Sequence, residues 1–234
     1  MKKSLLALAF ATAFAGSASA AMQSVDAGNY TFTYDDSFWG IAQGTVFGQS
    51  GNTFTFSNLG YSAAAAGQRS GESSADFLDW TYVGAVSVQA KSGYQIQSII
   101  SGAVGQITTT VGSADGAYAY AGANTFAQWN GWGGVYGDTS TYSEKDGSDS
   151  FGANGPYNVS GSANLDGVQQ AELTYFQTSG WVTVAGRDSS ASISHDASYF
   201  TVQVSAVPEA DSYAMLLAGL GVIGALVRRR AKQL

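Results

Sequence analysis

Trp129-Asn130-Gly131-Trp132 sets two indoles around an amide, the residue types that stack on a sugar ring and bond its hydroxyls. Trp39 and Trp181 are further indoles able to join such a site, although side chains of this size also complete sandwich cores. The one histidine, His195, precedes Asp196. Neighbouring strand residues point to opposite faces, and no Gly-x-Ser-x-Gly elbow accompanies the pair, so His195 reads as a surface histidine near a turn and not as a base. Asp138, Glu144, Asp146 and Asp149 offer hard oxygen ligands of the kind calcium takes. Their spacing is not that of an EF-hand, which leaves a solvated acidic loop as the plain reading. Asp35-Asp36 and Asp76 with Asp79 are sparser versions. Two of these acids would suit a glycan hydrolase only at a carboxylate separation that sequence does not set. No catalytic residue, metal ligand or cofactor is therefore assigned, and the expectation is a non-enzyme.

The background that must hold these residues is acidic and free of cysteine. Without thiols there is no disulfide framework, thiolate metal site or cysteine nucleophile, so packing alone stabilises the fold. Of the seventeen acids only Glu209 and Asp211 lie beyond Ala206; Arg69, Lys91, Lys145 and Arg187 are the only bases between Ala21 and Ala206. A surface of that sign repels phosphate, which excludes nucleic acid as a partner. Thirty glycines, thirteen tyrosines and two prolines describe a turn-rich β protein.

Alternation supplies the elements. Tyr30, Phe32 and Tyr34 share one face of a strand, as do Phe54 and Phe56. The period running from Thr81 to Lys91 pauses at Ser92-Gly93 and resumes at Tyr94 and Ile96, which predicts a hairpin. Ile107 to Val111, a turn at Gly112 to Gly116, and Tyr118 with Tyr120 predict a meander. Leu173 to Phe176, Trp181 to Ala185, Ala191 to His195 and Tyr199 to Ala206 read as four further strands; in the last, Phe200, Val202, Val204 and Ala206 face inward and Pro208 stops it. Ala63 to Ala66 is the one candidate helical turn, and Gly131 to Pro156 reads as a long loop. The predicted fold is all-β, an antiparallel sandwich or jelly-roll-like domain over residues 21–206.

Both ends carry addresses. Lys2 and Lys3, an apolar stretch from Leu5 to Ala15, and Ala18-Ser19-Ala20 have the layout of a signal peptide over residues 1–20. Ala18 and Ala20 suit the pockets of a signal peptidase. At the other end Val207, Pro208 and Glu209 precede an uncharged run from Tyr213 to Val227, then Arg228, Arg229, Arg230 and Lys232. A transmembrane helix over about 212–227 is expected. Its fifteen-residue uncharged core covers about 22 Å, short for a hydrocarbon layer of about 30 Å, and the basic end at 228–232 would stay in the cytoplasm.

This order of motif, apolar helix and arginine cluster over residues 207–234 resembles the PEP-CTERM sorting tail of Gram-negative bacteria, with Ala210 in place of the usual second proline. The resemblance implies an exported protein that passes through the inner membrane, is processed by an exosortase, and reaches the cell surface or extracellular matrix. It implies a structural or adhesive role in an exopolysaccharide or biofilm layer. The alternative is a carbohydrate-binding module built on Trp129, Asn130 and Trp132.

Overall fold

The computed structural model describes residues 22–68, 71–81, 85–131, 135–146 and 154–207, together with residues 215, 217–223 and 228; at 42 and over 78–81 and 135–146 only the backbone is described. Among the described residues twelve strands follow in order: β1 Met22–Asp26, β2 Tyr30–Asp35, β3 Val46–Ser50, β4 Thr53–Ala66, β5 Glu72–Thr81, β6 Val86–Ala90, β7 Tyr94–Thr110, β8 Tyr118–Gly131, β9 Val135–Asp146, β10 Gly155–Val168, β11 Gln170–Ala185 and β12 Ser190–Ala206. They form two sheets. The larger has the order β1-β2-β6-β11-β8-β9, with β5 paired to the remaining length of β11 beside β6. The smaller has the order β10-β7-β12-β4-β3. Every pairing is antiparallel, and the inward faces meet as a sandwich.

The interior is graded along the strands. Nearer the β6–β7 turn it is aromatic: Phe32 of the larger sheet stacks on Phe54 of the smaller at 3.8 Å, and Trp39 lies on Phe56 at 4.1 Å. Toward the other end it is built of small residues, with Ala119, Ala121 and Ala123 of β8 facing Ala103, Ala191 and Ile193. Buried hydroxyl and imidazole groups, Ser101, Thr125, Thr178, His195 and Ser198, lie among these apolar residues. The alternation at Tyr30, Phe32 and Tyr34 and at Phe54 and Phe56 points into this core as expected.

Several connections differ from the expected ones. Ser92-Gly93 is a tight turn, with Gly93 at φ 80° and the Tyr94 amide donating to the Lys91 carbonyl at 3.0 Å, but it is not a hairpin. β6 belongs to the larger sheet and β7 to the smaller, so the chain arches across the interior. The turn after β7 does the same, because β8 lies in the larger sheet; the predicted meander is a second arch. An alternating pattern keeps one face inward in either topology, so it does not choose between them. Ala63 to Ala66 is strand, paired with Ile193, Ser192, Ala191 and Ser190, because cross-strand pairing outweighs alanine's helix propensity. The predicted loop from Gly131 contains β9, paired to β8 along its length. The four predicted C-terminal strands are two long ones, β11 and β12. Late in β12 the register to β7 skips Gln97, a bulge on β7; Phe200 and Val202 are buried, Val204 packs half-buried against the core, and Ala206 at the strand's end is exposed.

The sandwich has two distinct ends. At one, the Val207 amide donates to the Gly93 carbonyl at 2.8 Å and the Lys91 amide to the Asn29 carbonyl at 2.9 Å, beside the Lys91–Asp26 ion pair. At the other, the Gly67 amide reaches the Ser189 carbonyl and the Gly112 amide the Ser189 hydroxyl. The chain leaves β12 at the first end. Residues 217–223 beyond it are helical, with Leu217 and Ile223 exposed, and among the described residues no helix is long and apolar enough to cross a membrane.

Candidate functional site

Trp129 does not form a surface platform. It is 0% exposed, its indole N–H donates to Ser101 Oγ at 3.0 Å, and its ring meets Phe200 edge-on at 5.6 Å. An indole enclosed on all sides presents no face to a sugar, so the reading of Trp129 as a glycan contact is corrected. Asn130 is half-buried, across from Glu172 of β11. Trp132 lies outside the described residues. Trp39 is likewise interior.

His195 is also not on the surface: it is 2% exposed, and Phe77 and Tyr61 meet its ring edge-on at 6.1 and 6.2 Å. Nε2 lies 3.1 Å from Ser198 Oγ. Burial pulls its pKa down to about 4, against a smaller upward pull from Asp196, so the imidazole is neutral at pH 7. The Asp196 carboxylate accepts instead from Ser194 Oγ at 2.9 Å. A bulge between His195 and Ala197 faces Asn58 and Gly60, both at positive φ, and opens a cleft of about 480 Å³ lined also by Tyr61, Ser62, Ser194 and Asp196. Ser198, the hydroxyl nearest the imidazole, is 0% exposed, so the contact joins two enclosed groups and offers no reachable nucleophile.

The acidic candidates are dispersed. The backbones of Asp138, Glu144 and Asp146 stand on β9 opposite Gln128, Gly122 and Tyr120, and Asp149 lies outside the described residues. Among the described residues no group of three or more histidines or acids is placed to hold a metal ion. Burial pushes the Asp35 carboxyl up, but hydrogen bonds from the Ser37 hydroxyl and the Phe38 and Ser37 amides hold it below the ordinary value. That carboxylate caps a turn.

The outer face of the larger sheet carries a residue set that sequence reading passed over. Along β8 the alanines at 119, 121, 123 and 127 point inward, while Tyr118, Tyr120 and Phe126 point outward. On β11 Trp181 stands opposite Gly122, its ring occupying the space a Cβ there would need. Tyr118 and Tyr120 stack at 5.4 Å, and Phe126 meets Tyr175 at 5.5 Å. The Tyr118 hydroxyl donates to the Glu72 carboxylate, and that bond pushes the phenol up to about 12. The Tyr-Ala-Tyr-Ala alternation from 118 is visible in the sequence. Reading it with aromatics inward, the usual preference, hides the face.

The sorting elements flank this domain. β12 ends at Ala206 and Val207 is 37% exposed; Arg228 is helical and exposed. Pro208, Glu209, Arg229, Arg230, Ala18 and Ala20 lie outside the described residues. A family model described as the PEP-CTERM protein-sorting motif matches residues 206–230. No curated protein and no solved structure matches the chain. The match covers the tail and does not extend over the sandwich; the motif implies an exported, envelope-associated protein of a Gram-negative bacterium processed by an exosortase.

Proposed function

We propose that this PEP-CTERM protein is a non-enzymatic component of the extracellular polysaccharide or biofilm layer, in which the sandwich acts structurally or adhesively after the tail has delivered it. The observation that carries the reading is the junction at Ala206: the last strand ends where the matched motif begins. A domain completed by its own final strand retains its fold when an exosortase cuts near Pro208. A signal peptidase acting after Ala20 would likewise leave β1 intact, since that strand starts at Met22.

In this reading the segment at about 212–227 holds the inner membrane transiently, with Arg228, Arg229 and Arg230 on the cytoplasmic side. The test is fractionation of producing cells with intact-mass measurement of the surface-extracted protein. Expected is a species in the surface or polymer fraction lacking about 20 residues at the N-terminus, by the signal-peptide layout, and the segment after the Pro208 region. Recovery of the mature protein solely from cytoplasm or soluble periplasm would refute the role.

A further inference from the structure

We propose that the outer face of the larger sheet is a binding platform for a neutral polysaccharide chain, stacked on Tyr118, Tyr120 and Trp181 at one end and on Phe126 and Tyr175 at the other. The first observation is the inversion along β8. Its interior positions 119, 121, 123 and 127 are alanines with at most 1% exposure, whereas Tyr118, Tyr120 and Phe126 are only half-buried on the outside. Folding alone favours the reverse, since burial of the larger rings removes more apolar surface from water. The second is support from below: Trp181 lies over Gly122, whose missing side chain leaves the room that the indole occupies against the sheet. Half-exposed aromatic rings grouped on the outside of a sheet are the surface that a pyranose face stacks on.

The occupant follows from what surrounds the rings. Asn124 stands between the two groups on β8, Gln177 receives the Tyr175 hydroxyl at 2.6 Å, and Asp76 is opposite Trp181. Amides and carboxylates suit sugar hydroxyls, and the Glu72 and Asp76 carboxylates on this face repel an acidic polymer. From Tyr120 to Phe126 is six residues, roughly 20 Å along the strand, so an extended chain reaches both groups and a single sugar does not. As the physiological ligand this polymer rests on the extracellular location proposed above; the binding itself does not.

Affinity electrophoresis of the purified full-length chain in detergent, through gels containing hydroxyethyl cellulose, galactomannan or, as the charged control, alginate, tests the platform. Expected is retardation by at least one neutral polymer and not by alginate, with Trp181→Ala and Tyr120→Ala each weakening it by about tenfold. Thermal melting of both variants establishes folding, and Phe126→Ala, which leaves Trp181 on Gly122, decides the matter if Trp181→Ala does not fold. Migration unaffected by every neutral polymer, or equal retardation of folded variants, overturns the proposal. So does sedimentation showing that the same substitutions dissociate a dimer, since the face then belongs to a second copy of the chain. Surface-located protein without binding defeats the platform and leaves the matrix role standing; binding by a protein confined to the cytoplasm does the opposite.

Discussion

At the scale of single residues, His195 gives the sharpest expectation. Its pKa is lowered by burial from 6.5 to about 4, so between those values the unfolded chain binds a proton that the folded chain does not. The sandwich is therefore stabilised by the neutral imidazole above about pH 6.5 and loses that contribution as pH falls toward 4, by at most about 3 kcal/mol. Melting curves of the wild type and His195→Gln from pH 7 to pH 4 check this, the variant showing the shallower decline. Trp129→Ala removes a fully enclosed indole and strands the Ser101 hydroxyl; it should cost roughly 3–5 kcal/mol in denaturant unfolding. The indoles and the histidine were visible in the sequence, but their surroundings were not. Trp129 sits beside Asn130 and Gly131, residues that suggest a turn, yet its parity with Ala127 along β8 puts it inside. Trp181, flanked by Gly180 and Val182, has no neighbouring amide to suggest a sugar site, yet it is the indole on the outer face.

Individual strands were legible wherever large residues alternate, as at Tyr30 to Tyr34, and so was the stop at Ala206. The pairing of strands was not, because the Ser92-Gly93 turn serves a hairpin or an arch equally, and only packing between Phe32 and Phe54, distant in sequence, decides which sheet each strand joins. β9 was hidden for a related reason: its polar sequence carries no apolar period, and its place comes from pairing with β8. The abundance of glycine acquires a local cause at this scale. Gly102 lies under the Tyr199 ring, Gly180 under Phe77, and a Cβ on Gly105 would meet both the Ser194 carbonyl and the Tyr157 ring. Gly105→Ala should therefore destabilise by about 1–3 kcal/mol, whereas Gly48→Ala, with open space around it, should change stability by no more than about 0.5 kcal/mol. Urea denaturation of the pair separates the two outcomes.

For the molecule as a whole, the address was readable from Val207, Pro208, Glu209 and the arginines, since sorting signals are local strings that need no tertiary partner. A chain ending after Val207 should unfold within about 0.5 kcal/mol of the full-length protein. One ending at Val202 forfeits the pairing of Gln203 to Ala206 with Ser98 to Tyr94 of β7 and should melt at a lower temperature; scanning calorimetry of the two truncations distinguishes them. The strand that leads into the tail is also the middle strand of its sheet, bonded to β7 on one side and β4 on the other over most of its seventeen residues. If the domain is held at its C-terminal end in the layer proposed above, tension would enter it along the axis of β12. Its backbone hydrogen bonds would then resist in shear, many at once, where an edge strand would peel open one bond after another.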